Sequence, residues 1–397
     1  QYMEKTFSIG CDGGLYADCN AGRRDCENRG RAQGGAAAAG AGKTTFLVDS
    51  AFHQSSSIDN KILITTFTDD NTLEIQRKFY SKYGFIPHNI DILPWFTFLL
   101  KECVRPYQQF MVTERINGLQ LVNGSSTQGI PERDVRRFFL NKKHCIYSDK
   151  LANFAFKLNK ISGGLSSKRL FKLYSIIFID EIQDMAGYDF ELIKLLHEVG
   201  INVVMAGDLR QTISPNHFDN KNKKYFGHID NYINENKLDI EIDTKTLNKT
   251  YRNIPKICEF ANKFYPEMLS CSSANMEKTN HNGIYILKKS QVSQYYKIYH
   301  PVILRDSKKT KIDFHLTSQL IVYNFQKSKG LGFDRVLIYP TGELLQWIKN
   351  PKHELKARTR AKSYVAVTRA RFSVAFVVKD KDAREVSLSA GIPLWNR

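Results

Sequence analysis

The hydrophobic positions of this chain fall into short continuous runs with amphipathic stretches between them. The runs are KILITTFT (61–68), YSIIFIDE (174–181), INVVMAGD (201–208), DRVLIYPT (334–341) and FSVAFVVK (372–379). Runs of this kind predict strands that are buried on both faces of a parallel sheet. DNTLEIQRKFYSKY (70–83) and DFELIKLLHEV (189–199) have helical spacing instead. Alternating strands and helices predict an α/β fold.

Chain length and local composition predict more than one domain. A chain of 397 residues is longer than one ordinary hydrophobic core supports. Its first 35 residues are rich in Gly, Cys and Arg and have neither helical nor strand periodicity. The predicted organisation is a poorly structured leader at 1–35, a first domain at 36–245 with an inserted subdomain at about 105–170, a second domain at 246–385 and a tail at 386–397.

The charge balance indicates a polyanionic partner. Lys and Arg number 58 against 40 Asp and Glu, which gives a formal net charge of +18. Such a surplus is typical of nucleic-acid-binding proteins, although a general bias toward Lys and Asn would also produce it. Seven Cys residues without a CxxC pair predict free thiols rather than a zinc site or a disulfide framework.

The same composition argues against a membrane protein. No apolar run approaches the ~18 residues that a membrane span needs, and no secretory signal pattern is present. We therefore expect a cytoplasmic protein that has no membrane partner.

The stretch AAAAGAGKTTFLVDS (36–50) predicts a phosphate-binding loop. Its Gly42, Lys43 and Thr44 match the pattern GxxxxGK[ST], and Ala37 occupies the first Gly position. Glycines in such a loop allow the backbone to approach the phosphates, which the N–H groups of the loop and the next helix then bind. We expect Lys43 to contact the β- and γ-phosphates of ATP and Thr44 to ligate Mg²⁺. The predicted nucleotide-binding residues of the loop are Gly40, Ala41, Gly42, Lys43, Thr44 and Thr45.

The stretch IIFIDEIQD (176–184) supplies two carboxylates at the end of an apolar strand. We expect Asp180 to bind Mg²⁺ through water and Glu181 to polarise the water that attacks the phosphate. A solvated acidic turn is the alternative, but it does not explain the fully apolar strand before it. Together with the loop, this pair predicts a hydrolase of ATP or GTP.

The chain resembles superfamily 1 helicases of the UvrD, Rep and RecB type, as a compact member. The resemblance covers roughly residues 36–380. The similar segments, in chain order, are AAAGAGKTT (37–45), TTFTDDNTLEIQRKF (65–79), DILPWFTFLL (91–100), MAGDLRQTI (205–213), LNKTYRNIPKICEFAN (247–262), FQKSKGLGFDRVLIY (325–339) and YVAVTRAR (364–371). The chain departs from the family pattern at Gly332, which stands where the family has Glu, and at Phe96, which replaces a His.

The resemblance implies a fold and a set of residue roles. It implies two RecA-like P-loop domains with parallel sheets, with ATP and Mg²⁺ in their cleft. Gln211 would sense the γ-phosphate, Tyr251 would stack on adenine, and Arg252 and Arg369 would act as arginine fingers. The implied DNA contacts are Thr66, Phe67, Trp95, Phe96, Lys327 and Lys329. A packed core is an equally good interpretation of Trp95 and Phe96. A solvated loop is an equally good interpretation of Lys327 and Lys329.

Three functions are compatible with these patterns. The first is an ATP-dependent translocase or helicase on single-stranded or partly duplex DNA, with 3′→5′ polarity implied by the resemblance. The second is a DNA-sensing ATPase switch in a repair or anti-phage defence complex, where it would regulate a protein partner such as a nuclease. The third is a basic nucleic-acid-binding protein with an inactive nucleotide site. The predicted phosphate-site residues and arginines, all present, argue against the third.

Overall fold

The computed structural model describes residues 39–213, 221–312 and 320–396, and the backbone of 7–9 and 34–36. Most of the predicted leader lies outside these residues, and so does Ala37, the first position of the predicted loop. The chain forms two units. The first contains Gln1–Ala37, Lys43–Leu209 and Ser214–Thr246, and the second contains Ala38–Gly42, Arg210–Ile213 and Leu247–Arg397.

The first unit is built on a parallel sheet of seven strands in the order β1-β9-β2-β8-β7-β3-β4. A separate parallel pair, β5 and β6, lies in the insertion. The strands are β1 (Phe7–Ile9), β2 (Gly34–Ala36), β3 (Lys61–Thr66), β4 (Ile90–Pro94), β5 (Gly118–Gln120), β6 (Cys145–Tyr147), β7 (Tyr174–Ile179), β8 (Asn202–Gly207) and β9 (Ile240–Asp243). Strand β1 falls within the predicted leader, and β2 crosses its end at residue 35.

Eight helices accompany this sheet among the described residues. They are α1 (Lys43–Ser55), α2 (Asp69–Tyr83), α3 (Trp95–Phe98), α4 (Val135–Phe139), α5 (Leu151–Ile161), α6 (Leu165–Leu173), α7 (Tyr188–Glu198) and α8 (Ile229–Glu235). Local sequence sets the bounds of α2, because the Thr68 side chain accepts a hydrogen bond from the Asn71 amide and Gly84 ends the helix with a φ of 80°. A six-residue π-helix, Leu99–Val104, continues directly from α3.

The central strands of the first sheet are buried because their side chains are apolar on both faces. In β3, every residue after Lys61 is buried, and in β7 the last four residues are. Apolar residues of α1, α2, α5 and α7 pack with these strands in one continuous core. This core fixes the carboxyl ends of β7 and β8, where the polar residues of the candidate site begin.

The second unit has a parallel sheet of five strands in the order β12-β16-β15-β13-β14, and a short parallel pair, β10 and β11. The strands are β10 (Lys249–Thr250), β11 (Ser272–Ser273), β12 (Gly283–Lys288), β13 (Val302–Arg305), β14 (Val322–Asn324), β15 (Phe333–Tyr339) and β16 (Ala370–Val378). The helices are α9 (Pro255–Asn262), α10 (Val292–Tyr299), α11 (Gly342–Lys349), α12 (Ala357–Thr368) and α13 (Asp380–Ala390).

Helix ends in this unit also follow from the sequence. Pro255 occupies the first turn of α9, where a missing N–H costs nothing, and the Thr341 side chain caps α11 through the Leu344 amide. Phe260 packs against both Trp347 and Phe376 in the core between helices and sheet. Helix α12 leads directly into β16, so Arg369 lies at the junction of a buried helix and a buried strand.

The prediction of an α/β fold with parallel sheets is confirmed in both units. The domain boundaries predicted from the sequence, including those of the leader and the tail, stay predictions. Across the described residues, none of the helices has the length and apolar character needed to cross a membrane.

Candidate functional site

The predicted phosphate loop connects β2 to α1. Gly40 and Gly42 have φ values of 77° and 83°, in the left-handed region that favours glycine. Helix α1 begins at Lys43 and continues for 13 residues, so its first N–H groups have no partner within the helix and can bind an anion. Ala41 and Lys43 are both buried. The segment therefore has the backbone form that a phosphate loop requires.

The two predicted metal ligands lie in contact with each other. The Thr44 hydroxyl donates a hydrogen bond of 3.0 Å to Oδ2 of Asp180. Asp180 is 2% exposed. Burial raises the pKa of Asp180 to about 7, and the negative charge of Glu181 acts in the same direction, while Lys43 and the Thr44 hydroxyl act against it. The carboxylate thus lies where a nearby positive charge would favour its ionised form.

This pair of oxygen donors fits a magnesium ion that is bound together with nucleotide. Among the described residues, there is no group of three or more His, Cys, Asp or Glu side chains that could hold a metal. Mg²⁺ characteristically binds one or two protein oxygens and completes its shell with water and substrate phosphates. Thr44 and Asp180 provide such a partial set. Thr45 differs, because its hydroxyl accepts a hydrogen bond of 3.1 Å from Lys78 on α2.

Glu181 is held in an unusual backbone conformation directly after β7. Its φ is 56°, a left-handed value that costs energy for a non-glycine residue and is often retained at functional sites. The Glu181 amide donates to Oδ1 of Asp180 at 2.9 Å. The Gln183 side-chain amide donates to Oε2 of Glu181. The carboxylate of Glu181 is therefore oriented by its neighbours.

Gln183 was not singled out by the sequence interpretation. It is 1% exposed, and its Oε1 accepts a hydrogen bond of 3.0 Å from the Asp208 amide at the end of β8. Gly207 leaves the space that Gln183 occupies, since a Cβ there would overlap the Gln183 side chain. Gln183 thus connects the ends of β7 and β8. The signal in the sequence was a Gln inside DEIQD, two residues after Glu181.

Arg369, a predicted arginine finger, is buried in the second unit. Arg369 is 1% exposed, and its guanidinium donates to the carbonyls of Val365 and Leu331, each at 3.0 Å. It also donates to Oε1 of Gln211 at 3.3 Å. Gln211 is buried too, and it belongs to this unit through the segment Arg210–Ile213. The structure therefore brings together two of the residues for which the resemblance implied nucleotide roles.

Arg252 and Tyr251 are more accessible than Arg369. Tyr251 is 55% exposed, and Arg252 is half-buried. The Nε atom of Arg252 would lie 3.2 Å from a Cβ added at Gly332, which shows how closely the arginine approaches that glycine. Gly332 is the position where the helicase pattern has Glu, so here its small size makes room for the arginine side chain.

Two of the predicted DNA contacts have side chains that the structure covers almost completely. Trp95 is fully buried, packs against Phe98, and donates through its indole nitrogen to Asp189 at 2.8 Å. A ring that is completely covered cannot stack on a base. Thr66 is 1% exposed, and its hydroxyl accepts a hydrogen bond from Asn71. Both side chains belong to the interior of the first unit.

The remaining DNA candidates are at least partly accessible. Phe67 and Phe96 are half-buried, and their rings meet edge to face with centroids 5.9 Å apart. In the second unit, Lys327 is exposed and Lys329 is half-buried, on either side of the buried Ser328. The alternative of a packed core thus holds for Trp95, while Phe96 keeps an accessible face.

Comparison with known proteins gives structural likeness only. No family model matches the chain, and no curated protein matches it. Among solved structures, the arterivirus nonstructural protein 10 helicase is 13% identical with a TM-score of 0.43, covering 89% of this chain and 60% of that one. The same helicase with DNA is 14% identical with a TM-score of 0.42, covering 90% and 62%. The PRRSV helicase is 15% identical with a TM-score of 0.40, covering 87% and 51%.

These likenesses are weak. The chain spans between about half and three fifths of the length of the three solved proteins. With TM-scores below 0.5, they support no conclusion about the chemistry of this chain, which has to come from its own residues.

Proposed function

We propose that this chain hydrolyses ATP with Mg²⁺ and uses the reaction to move along single-stranded DNA. The observation that carries the proposal is the contact between the Thr44 hydroxyl and the buried Asp180 carboxylate, next to Lys43 at the start of α1. A hydroxyl, a carboxylate and a lysine at a helix N-terminus are the groups that phosphoryl transfer needs. The order of helicase-like motifs supports the motor rather than a simple hydrolase.

Each residue at the start of α1 and at the carboxyl end of β7 has a defined task in this proposal. Lys43 and the loop amides bind the phosphates. Thr44 and Asp180 would hold the Mg²⁺, which neutralises charge on the phosphates when it is bound. Glu181 accepts a proton from the attacking water, and Gln183 keeps the Glu181 carboxylate in a fixed orientation.

The arginines and Gln211 are proposed to act on the transferred phosphoryl group. Arg369 carries the positive charge and Gln211 contacts it directly. Arg252 would supply a second charge, and Tyr251 an exposed ring for adenine. The net charge of +18, the accessible faces of Phe67 and Phe96, and the lysines Lys327 and Lys329 support a DNA strand as the partner.

The test is ATP hydrolysis by the purified chain with and without single-stranded DNA, beside the variants Lys43→Ala and Glu181→Gln. We expect DNA to stimulate hydrolysis, and each variant to lower kcat by about a hundredfold or more, because a phosphate contact or the general base is lost. Lys352→Ala and Glu354→Gln are matched controls on exposed residues, and they should leave the rate unchanged.

Hydrolysis that persists in Lys43→Ala would refute the assignment of the nucleotide site. Stimulated hydrolysis without strand displacement would favour the alternative of an ATPase switch that regulates a partner nuclease. Displacement of strands annealed at either end of a single-stranded track gives the polarity, for which the family resemblance implies 3′→5′.

A further inference from the structure

The backbone of the phosphate loop is already engaged by the segment that carries Arg252. The carbonyl of Ala39 accepts a hydrogen bond of 2.7 Å from the Thr250 hydroxyl, and the carbonyl of Gly40 accepts one of 3.0 Å from the Tyr251 amide. A Cβ added at Gly40 would lie 2.6 Å from the Cβ of Arg252. Gly40 was predicted to make room for phosphates, and here it also makes room for an arginine.

Thr250 lies at the centre of a small buried network. Its side chain is 1% exposed, and its hydroxyl oxygen accepts a hydrogen bond of 3.3 Å from the Arg252 amide. The single hydroxyl proton has two acceptors within reach, the Ala39 carbonyl at 2.7 Å and Oδ1 of Asn253 at 3.3 Å. A hydroxyl rotates easily, so loss of the first acceptor would turn the proton toward the second.

Asn253 extends this network to the other arginine. Its side chain is 2% exposed, and its amide nitrogen donates to the carbonyls of Thr368 and Ala370, the residues on either side of Arg369. An amide group held by two backbone carbonyls cannot rotate without losing both bonds. Asn253 therefore fixes the backbone from which the Arg369 side chain extends.

We propose that Thr250 and Asn253 are positioning residues that tie the loop segment Ala39–Gly40 to Arg252 and Arg369, so that the conformation of the loop sets the position of both arginines. The inference deepens the proposed function and rests on it. When a phosphate moves the Ala39 carbonyl, Thr250 donates to Asn253 instead, and the change reaches the backbone on both sides of Arg369. Neither residue contacts the reacting phosphate in this scheme.

The first test separates positioning from binding. Thr250→Val keeps the shape of the side chain and removes its hydroxyl. We expect kcat for ATP hydrolysis to fall about tenfold, the factor that one lost hydrogen bond corresponds to, while the Kd of a non-hydrolysable ATP analogue changes less than about threefold. Thr250→Ser should restore most of kcat. Thr127→Val, which removes another buried threonine hydroxyl bonded to a carbonyl, is the matched control and should leave kcat unchanged.

The second test asks whether Thr250 acts through Arg252. In an Arg252→Ala background, Thr250→Val should lower kcat less than about twofold further, because residues that act as a unit have non-additive effects. An unchanged kcat in Thr250→Val, or losses that multiply independently with those of Arg252→Ala, would overturn the inference.

A third measurement does not depend on turnover. Binding of the ATP analogue should change amide hydrogen exchange in the peptide covering 364–371, and Thr250→Val should abolish that change. If the wild-type chain binds the analogue but does not hydrolyse ATP, the proposed function fails and this measurement still decides on the network. If wild type and Thr250→Val show the same exchange response, the proposed coupling through Thr250 is contradicted.

Discussion

Asp180 in the first unit and Arg369 in the second are both almost completely buried, yet their surroundings treat their charges in opposite ways. Around Asp180, burial and the neighbouring Glu181 favour the neutral form, so the pKa rises to about 7. Around Arg369, the carbonyls of Val365 and Leu331 accept hydrogen bonds from the guanidinium and favour the charge. An additional positive charge beside Asp180 would therefore be favourable, whereas the Arg369 guanidinium is already hydrogen-bonded to oxygens of the protein.

The contrast shows that the unfavourable energy of the candidate site lies at the Asp180 carboxylate in the first unit. Glu181 adds to it with its left-handed backbone, directly beside the buried carboxylate. A bound Mg²⁺ with nucleotide would relieve the carboxylate repulsion in the first unit, whereas the hydrogen bonds of Arg369 to protein carbonyls stabilise the second unit without a ligand. Stability and activity should therefore respond differently to substitution in the two units.

The largest expected effect is on the second unit. Arg369→Ala should lower the free energy of unfolding by about 3 kcal/mol, because it leaves buried carbonyls and Gln211 without their donor. Arg369→Lys, which keeps the charge but not the planar set of donors, should lose less. The measurement is urea unfolding followed by circular dichroism. If the Arg369→Ala chain were as stable as wild type, the hydrogen bonds of Arg369 would not contribute to the stability of the second unit.

A smaller effect of opposite sign is expected in the first unit. Because the folded pKa of Asp180 lies above its ordinary value of 3.8, the folded chain binds the proton more tightly than the unfolded chain. That contribution to stability is fully present below about pH 4 and is lost as the pH rises through 7. Asp180→Asn stays neutral, so we expect it to raise the free energy of unfolding at pH 8 by about 2 kcal/mol while hydrolysis is lost.

The pH dependence is the control for this prediction. The stability gained by Asp180→Asn over wild type should grow between pH 4 and 7 and stay level above 7. Urea unfolding at pH 5 and pH 8 measures it. A gain of equal size at both values would mean that the burial of charge at Asp180 is not its cause.

The smallest expected effect concerns the more accessible arginine. Arg252→Ala keeps the Cβ that lies against Gly40, and Arg252 is half-buried whereas Arg369 is 1% exposed. We therefore expect the free energy of unfolding to change by less than about 0.5 kcal/mol, in contrast to Arg369→Ala. Thermal unfolding detects the difference between the two variants. A loss as large as that of Arg369→Ala would remove the distinction between a structural and an accessible arginine.

The strands could be predicted from the sequence because their burial on both faces leaves an unbroken apolar run. The runs at 61–68 and 174–181 correspond to Lys61–Thr66 and Tyr174–Ile179, and the polar residues that follow each run lie beyond the strand. Asp180 was predicted in the same way, because it directly follows the apolar run of β7, whereas Lys43 and Thr44 were predicted from the glycine-rich pattern of the loop. The roles of all three stay predictions.

Residues whose role depends on distant partners could not be found in the same way. Three such residues are Gln183, Thr250 and Asn253. Polar residues of these types are common in solvated loops, so the sequence does not indicate that they are buried. Only the fold places them beside Asp208, Ala39 and Ala370, respectively. For Trp95 the sequence left two interpretations open for the reverse reason. An apolar stretch such as PWFTFLL is compatible with both a core and a stacking surface, and only the bond to Asp189 decides between them.

The second unit is built from segments that are far apart in the chain, which affects how it folds during synthesis. The second unit includes Ala38–Gly42 and Arg210–Ile213, which emerge from the ribosome long before Leu247–Arg397. The partners of these early segments, such as Thr250 and Arg369, are synthesised later. The second unit therefore forms its long-range contacts late, and we expect it to fold more slowly than its modest size suggests. A separately produced C-terminal fragment would lack the Ala39 carbonyl that accepts from Thr250 and the Gln211 side chain that accepts from Arg369.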